Sequence, residues 1–247
     1  MKTAGDDMET TLDEASTSIF EELYISVRRQ ERRIVSDGEL MFLPDVDVSH
    51  VHYNEWLIRK RSSMRLITYL QKKKRALKIL EIGCGNGWLS SRISAIPHTT
   101  VIGLDINEPE INQAKRVFKK DNLDFLTGTF TPELFAGEKF NIILFAASIQ
   151  YFSSLKDILQ QALHCLTEHG EIHIVDSHFY EPSEVKNAAA RCLDYYTNLG
   201  FPEMAGHYFH HSTADLLLFN CTMLINPGSL INRISKKEPF YWIAIKN

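Results

Sequence analysis

Short apolar runs alternate with helical segments through the central part of the chain. Five runs have the length and apolar character of buried strands, and they cover residues 77–82, 100–106, 123–129, 140–148 and 170–177. The segments 89–96 and 155–166 show helical periodicity, and the second should stop at His169-Gly170. Strands that alternate with helices in this way predict a doubly wound α/β fold. Its sheet should be mostly parallel, with helices on both faces.

Two further apolar runs lie near the C-terminus, at residues 219–225 and 240–245. The turn sequence Asn226-Pro227-Gly228 and a polar loop separate them. The second run is rich in aromatic and β-branched residues, which are favoured in strands. We therefore expect a final hairpin that adds two strands to the sheet.

A glycine-rich turn joins the first strand to the first helix of this pattern. Glu81 is followed by three alternate glycines, Gly83, Gly85 and Gly87. A turn without side chains lets a ligand approach the free N–H groups at the start of a helix. A dinucleotide fingerprint would need its third glycine at position 88, where this chain has Trp88, and a P-loop would need a Gly-Lys-Ser/Thr ending. The spacing therefore argues against both of these nucleotide sites.

An acidic residue, Asp105, ends the second predicted strand. It follows the glycine turn by about twenty residues, the separation at which a βαβ unit presents an acid to a ribose. A carboxylate can accept charge-assisted hydrogen bonds from two vicinal hydroxyls. Asn107 should then cap the next helix, with Glu110 completing a capping box and Pro109 in the first turn.

The combination Glu81-x-Gly83-x-Gly85-x-Gly87 with Asp105 resembles the first motifs of the class I S-adenosylmethionine-dependent methyltransferases. The resemblance implies a seven-stranded sheet whose last strand is antiparallel, and S-adenosylmethionine as the cofactor. It covers residues 77–177 well and the rest of the chain more loosely. The cofactor-binding residues that it implies are Glu81, Gly83, Cys84, Gly85, Asn86, Gly87, Trp88, Asp105, Ile106, Asn107, Thr129, Ala146 and Ala147.

The chain departs from the family pattern at the end of the third strand. Many relatives end this strand in Gly-Asp, and the acid accepts a hydrogen bond from the adenine amino group. Here the strand ends in Gly128-Thr129. A threonine hydroxyl can accept the same bond without a charge, so adenine recognition would depend more on backbone groups and apolar walls.

Segments outside the central pattern suggest three regions. Residues 1–18 are acidic and polar, which is typical of a disordered tail, and residues 19–76 form a helical extension and lid. Residues 77–247 form the cofactor-binding domain, with an insertion at 178–218. In the extension, Trp56 and Arg59 lie on adjoining turns of a helix over 54–72 and could cover the cofactor, with Arg59 pairing with the methionine carboxylate. In the alternative interpretation, Trp56 belongs to the core and Arg59 is a surface charge.

Histidines in and near the insertion are the candidate catalytic residues. Ligands of open α/β sheets bind beyond the carboxyl ends of the strands, and His178 directly follows the fifth predicted strand. His210 and His211 depend on how the insertion folds back. A neutral histidine can serve as the general base when the acceptor is a hydroxyl or a protonated nitrogen. The sequence does not indicate which of the three acts.

Composition narrows the remaining classes of function. The chain has 247 residues, a net charge of −4, no apolar run of bilayer length and four cysteines without a C-x-x-C pair. These features favour a soluble, cytoplasmic protein without a metal site. The acidic balance and the absence of an Asn/Asp-Pro-Pro-aromatic motif disfavour nucleic acid as a partner, and the oligomeric state stays open. The leading hypothesis is methyl transfer to a small molecule. The alternatives are an RNA or protein methyltransferase, a non-catalytic S-adenosylmethionine-binding protein and, less favoured, an NAD-dependent oxidoreductase.

Overall fold

The computed structural model describes residues 19–230, 232 and 238–246, and these form one seven-stranded sheet. The strand order is β3-β2-β1-β4-β5-β7-β6, and β7 runs antiparallel to its neighbours β5 and β6. Both the doubly wound α/β class and the terminal antiparallel hairpin are thereby confirmed. The strands are β1 Leu77–Ile82, β2 Thr99–Asp105, β3 Leu123–Thr127, β4 Phe140–Ala146, β5 Leu166–Ser177, β6 Asn220–Ile225 and β7 Tyr241–Lys246.

Helices cover both faces of the sheet, because its central strands are apolar on both sides. In β1, Leu80 and Ile82 pack into one hydrophobic cluster, while Leu77 and Ile79 pack into the other. A strand buried on both faces shows such continuous apolar runs in place of alternation. The helices are α1 at residues 19–30, α2 Asp37–Phe42, α3 Tyr53–Gln71, α4 Trp88–Ile93, α5 Glu108–Val117, α6 Leu155–His164 and α7 Val185–Leu199.

The boundary between α6 and β5 differs from the prediction. The helix was expected to continue through Leu166 and stop at His169-Gly170, but α6 ends at His164 and β5 begins at Leu166. Leu166 pairs with Phe140 of β4, and the Phe140 N–H donates to the Cys165 carbonyl at 2.8 Å. Pairing with a distant strand overrides the local helical periodicity at these positions.

At the start of α5, only one of the two hydrogen bonds of the expected capping box is made. The Asn107 side chain accepts a hydrogen bond from the Glu110 N–H at 3.1 Å. The reciprocal bond of a capping box is not made, because the Asn107 N–H donates to Asp105 at 2.8 Å. The carboxylate of Glu110 is therefore available for other partners.

The insertion after β5 folds back onto the end of that strand. A short 3₁₀ turn at Pro182–Glu184 leads into α7, and Gly200 follows the last residue of α7 in the left-handed conformation (φ 90°) that favours glycine. Beyond α7 the chain returns to Tyr180, whose N–H donates to the His211 carbonyl at 3.0 Å. The return brings the aromatic residues of the insertion to the carboxyl edge of the sheet.

The sequence analysis also predicted a disordered tail and no segment of bilayer length. The predicted tail at residues 1–18 lies outside the described residues. Within the described part of the chain, no helix combines the length and the apolar character that crossing a bilayer requires.

Candidate active site

Two adjacent cavities open at the carboxyl ends of β1, β2, β4 and β5. The large cavity has a volume of about 500 Å³ and the small cavity about 300 Å³. Both are lined by the glycine turn and by the start of the loop after β4, at Gly83, Gly85 and Ala147. Tyr24 of α1 and Tyr151 also line both cavities, and their rings meet edge to face with centroids 5.7 Å apart.

The glycine turn has a backbone that only glycine adopts easily. Gly83, Gly85 and Gly87 have φ values of 75°, 53° and 73°. A Cβ on Gly83 would lie 2.4 Å from the Cβ of Ser148, and one on Gly87 would lie 2.4 Å from the Phe125 ring. Gly87 lines neither cavity and lies against Phe125 and Ala114, so it has a role in packing, and its contact with the cofactor stays a prediction.

Asp105 lies at the end of β2 and lines the small cavity. One of its oxygens accepts the Gly85 N–H at 2.7 Å and the other accepts the Asn107 N–H at 2.8 Å. Burial raises the pKa of this carboxyl, and the two N–H groups oppose the rise. Each carboxylate oxygen has two lone pairs, so each can accept one further hydrogen bond from a ligand.

The rest of the small cavity combines apolar walls with one unpaired donor. Ile106, Asn107 and Thr129 line it, and Gly128 leaves open space beside Thr129. The side-chain nitrogen of Asn107 is buried and has no hydrogen-bond partner among the described residues. A buried donor of this kind is costly unless a ligand or water pairs with it.

Glu81 is a fully buried carboxyl that lines the large cavity. Ser90 donates a hydrogen bond to it. Burial raises the pKa of Glu81 to about 8, so this group holds its proton at neutral pH. Cys84, Asn86, Trp88 and Ala146 line the same cavity. Burial also raises the pKa of the Cys84 thiol, which is therefore protonated and unreactive.

An ion pair that the sequence did not reveal links α1 to α5 beside the glycine turn. Arg28 lies 3.9 Å from Glu110, and both line the large cavity. Burial raises the pKa of Glu110 to about 7, and Arg28 opposes the rise. Glu110 comes within 2.9 Å of the position of a Cβ on Gly85. The sequence signal for this pair was weak, because Glu110 has the spacing of a capping residue and Arg28 lies far from it along the chain.

The helix α3 presents one of its two predicted residues to the cavity. Arg59 lines the large cavity and its Nε donates to Glu55 at 3.0 Å. Trp56 lines neither of the two cavities; it is half-buried, and its ring meets Trp88 edge to face at 5.5 Å and packs against the core. Its cover of the cofactor stays a prediction, and the packing against Trp88 agrees with the alternative interpretation.

The three candidate histidines separate into two groups. His178 lines the large cavity, and its ring lies 4.6 Å from that of Phe240. Burial lowers the pKa of His178, so its imidazole is neutral at pH 7. His210 packs against Tyr208, and buried His211 has Nε2 3.1 Å from the Ile149 carbonyl oxygen. Neither of these two lines either cavity, so the geometry does not support them as bases.

Asp176 is a further cavity residue that the sequence analysis missed. It lines the large cavity one residue before the end of β5, and Asp105 is the last residue of β2. That common position at a strand end was the available signal. No group of three or more His, Cys, Asp or Glu side chains suited to a metal ion occurs in the part of the chain that the structure describes.

Comparisons with known proteins agree with this architecture. A malonyl-[acyl-carrier protein] O-methyltransferase of Bacillus anthracis is 26% identical over 129 residues, which are 50% of this chain and 48% of that protein. The structure of the magnesium protoporphyrin IX methyltransferase of Synechocystis PCC 6803 was solved with bound S-adenosylhomocysteine. It superposes on this chain with a TM-score of 0.54 at 16% identity, and the superposition covers 85% of this chain and 93% of that chain. A plantazolicin methyltransferase superposes with a TM-score of 0.54 at 15% identity over 94% of this chain and 99% of its own. At these identities the structural likeness concerns the fold.

The sheet order and the glycine turn define a Rossmann-like fold of the class I methyltransferase type. A family model described as a methyltransferase domain matches residues 73–199, just over half of the chain. The chain therefore belongs to this methyltransferase domain family. It spans about half the length of the curated relatives that it matches.

Proposed function

We propose that the protein transfers the methyl group of S-adenosylmethionine to a small-molecule acceptor. The observation that carries the proposal is the pair of adjacent cavities at the glycine turn. The small cavity has the chemistry for an adenosine, and the large cavity has titratable and aromatic walls. Its volume of about 500 Å³ lies in the range of small-molecule sites.

The residues present fit an adenosine in the small cavity. Asp105 has lone pairs free for both ribose hydroxyls, because each of its oxygens accepts only one backbone N–H. The unpaired side-chain nitrogen of Asn107 offers a donor, and Ile106 and Phe130 provide apolar walls for a base. Thr129 offers an uncharged hydroxyl at the same cavity.

The residues of the large cavity fit the methionine part of the cofactor and the acceptor. Arg59 can pair with the methionine carboxylate through the two terminal nitrogens of its guanidinium. Among the described residues, its hydrogen bond to Glu55 uses only Nε. When bound, S-adenosylmethionine supplies an activated methyl group on a sulfonium. The chain has to orient the acceptor and exclude water, and the rings of Tyr24 and Tyr151 close the junction of the two cavities. His178 offers a neutral imidazole nitrogen as an acceptor contact.

Calorimetry tests the cofactor assignment first. S-adenosylhomocysteine should bind the purified protein, and NAD should give no binding heat. The Gly83, Gly85, Gly87 spacing with Trp88 at position 88 motivates this expectation. Binding of NAD without a response to S-adenosylhomocysteine would instead place the chain among the dinucleotide-binding proteins.

Methyl transfer itself can be tested without knowing the acceptor. The protein should transfer label from methyl-labelled S-adenosylmethionine to a component of a small-molecule extract. The matched control is Asp105→Ala, which should bind the cofactor weakly and transfer little label. Tight cofactor binding without transfer to small-molecule, RNA or protein fractions would support the non-catalytic alternative.

A further inference from the structure

A β-bulge places Asp176 at the large cavity. Ile174 of β5 pairs with Ile243 of β7, and Ser177 pairs with Tyr241. Two residues of β5, Val175 and Asp176, therefore oppose the single residue Trp242. Bulges of this kind redirect a side chain, and they are frequent beside active sites.

The backbone of Asp176 is strained in the same place. Its φ is 55°, in the left-handed region, which is unfavourable for a residue with a Cβ. Aspartate is among the side chains that tolerate this region best. Strained residues of this type persist where the surrounding structure holds them, and they cluster at functional sites.

Only one of the two carboxylate oxygens of Asp176 accepts a hydrogen bond within the described part of the chain. One oxygen accepts a hydrogen bond from Ser62 of α3 at 2.7 Å, and the other has no hydrogen-bond partner among the described residues. Burial raises the pKa of this carboxyl, while Arg59 and Arg65 oppose the rise. The group is thus a half-buried acid with one oxygen that no described residue contacts by a hydrogen bond, and it lines the large cavity.

The other acids of the large cavity are already occupied. Glu31 and Glu55 form ion pairs with Arg33, and Glu110 pairs with Arg28. Glu81 is bonded to Ser90 and protonated at neutral pH. Within the described residues, Asp176 and Glu81 are the acids of this cavity that form no ion pair within 4 Å, and Glu81 is fully buried whereas Asp176 is only half-buried.

Asp176 also lies beside the segment that borders the cofactor cavity. Ala146 of β4 pairs with Val175, and the Ala147 N–H donates to the Val175 carbonyl at 2.9 Å. Asp176 follows immediately. Since Ala147 lines both cavities, Asp176 lies next to their junction, on the side of the large cavity.

From this arrangement we propose that Asp176 hydrogen-bonds the nucleophilic O–H or N–H group of the acceptor and receives its proton during transfer. This inference rests on the proposed function. The acceptor oxygen or nitrogen forms a bond to the methyl carbon, the carbon–sulfur bond breaks with its electron pair left on sulfur, and the acceptor proton passes to the Asp176 carboxylate. The acceptor is then an alcohol, a phenol or an amine. A carboxylate acceptor has no proton to donate and would be repelled by Asp176.

Sinefungin tests the position of the charge without an acceptor. This cofactor analogue carries a primary ammonium group where S-adenosylmethionine carries its transferable methyl group, and S-adenosylhomocysteine carries nothing there. A carboxylate facing the methyl position should favour sinefungin. In Asp176→Asn the ratio of sinefungin affinity to S-adenosylhomocysteine affinity should fall about ten- to a hundredfold, with S-adenosylhomocysteine binding unchanged.

Asparagine is the suitable replacement because it keeps the shape of aspartate and also tolerates the left-handed region. Asp176→Gly removes the same charge and relieves the strain, so it should give the same result if the asparagine variant folds poorly. Ser62→Ala, which keeps the carboxylate, should retain the preference for sinefungin. Glu238→Gln, which removes a negative charge outside the large cavity, should also retain it.

Each other outcome overturns the inference. An equal loss of affinity for both ligands would assign Asp176 to the amino group of the cofactor, which both ligands share. A lower melting temperature with both affinities unchanged would make Asp176 an anchor for α3. If wild-type protein bound neither ligand, the proposed function would fail and not this inference alone.

The chemistry of the product gives a second readout. Label transferred to a hydroxyl or an amine stays attached during mild alkaline treatment, whereas a methyl ester releases it as volatile methanol. We expect retention of the label in the product fraction. Release of labelled methanol would identify a carboxylate acceptor and contradict the assigned role of Asp176.

Discussion

Asp105 serves both the ligand and the turn that binds it. Its carboxylate accepts the N–H groups of Gly85 and Asn107 and borders the small cavity. Asp105→Ala should weaken S-adenosylhomocysteine binding by about 2–4 kcal/mol, or roughly thirty- to a thousandfold. It should also lower the free energy of unfolding by about 1–3 kcal/mol, because two backbone donors lose their acceptor. Calorimetry and urea denaturation measure the two effects.

The control for this variant is Asp124→Ala, which removes an exposed acid from the neighbouring strand β3. It should change neither quantity by more than about 0.5 kcal/mol. Wild-type affinity in a folded Asp105→Ala protein would mean that another residue binds the ribose.

His178 borders the large cavity without a hydrogen-bond partner among the residues described. If Asp176 takes the proton, His178 is an acceptor contact, and His178→Ala should raise KM about tenfold with kcat close to wild type. Melting temperature and cofactor affinity, measured on the same preparation, should stay near wild type. A fall in kcat of about 10²–10⁴-fold would instead identify His178 as the general base.

Glu81 should give the stability of the ligand-free protein a dependence on pH. Its pKa of about 8 in the folded state exceeds the usual value of 4.5, so the folded state holds the proton more tightly. The contribution to stability is complete below about pH 4.5 and is lost as the pH rises towards 8, by up to about 1.4 kcal/mol per unit. Glu81→Gln keeps a neutral group and should lose less stability between pH 5 and pH 8. Parallel slopes for both proteins in urea denaturation would mean that Glu81 is not buried as a neutral acid.

At the scale of elements, the connection from β1 to α4 leaves no room for a side chain at Gly87. Gly87 begins α4 with φ 73°, and a Cβ there would meet the ring of Phe125 and the Cβ of Ala114. Gly87→Ala should cost about 1–2 kcal/mol of backbone strain and about 1–3 kcal/mol of overpacking. Gly200→Ala is the matched control, because Gly200 ends α7 with φ 90° and has open space around it. That variant should lose only the strain, so equal losses in urea denaturation would contradict the packing role of Gly87.

Across the whole molecule, a buried polar network at the other edge of the sheet ties α3, β5 and β7 together. Trp242 donates to Nδ1 of His173 at 3.0 Å, and Nε2 of His173 donates to Glu171 at 3.1 Å. Tyr69 and Lys73 of this region also donate to Glu171. Nδ1 of His173 thus accepts a hydrogen bond while Nε2 donates one. Only the neutral imidazole can make both bonds, because a protonated ring has no acceptor nitrogen.

This network should destabilise the protein in acid. Burial lowers the pKa of His173, as do the charges of Lys73 and Lys246, while Glu171 raises it. The unfolded chain therefore binds a proton more readily near pH 6.5, and stability is lost as the pH falls below that value. Relative to His173→Gln, which cannot titrate, wild-type protein should lose more in melting temperature between pH 7.5 and pH 5.5. An equal loss in both proteins would show that His173 is not the titrating group.

The sequence by itself determined the parallel core, the terminal hairpin and the glycine turn. These features depend on local rules: apolar runs form strands, only glycine adopts the turn without strain, and an acid such as Asp105 ends its strand beside that turn. Chain order then brings the strand ends to one edge, because parallel strands joined by helices all point the same way.

Only the tertiary structure decided which side chains reach the cavities. The partners of Asp176 and Glu110 are Ser62 and Arg28, both far away in the sequence. The bulge that directs Asp176 follows from the pairing of β5 with β7, and the exclusion of His211 follows from the way the insertion packs on Ile149. The pairing of Leu166 with Phe140 of β4 made β5 begin earlier than the helical periodicity predicts. Periodicity describes neighbours along one element, whereas these contacts depend on the geometry between elements.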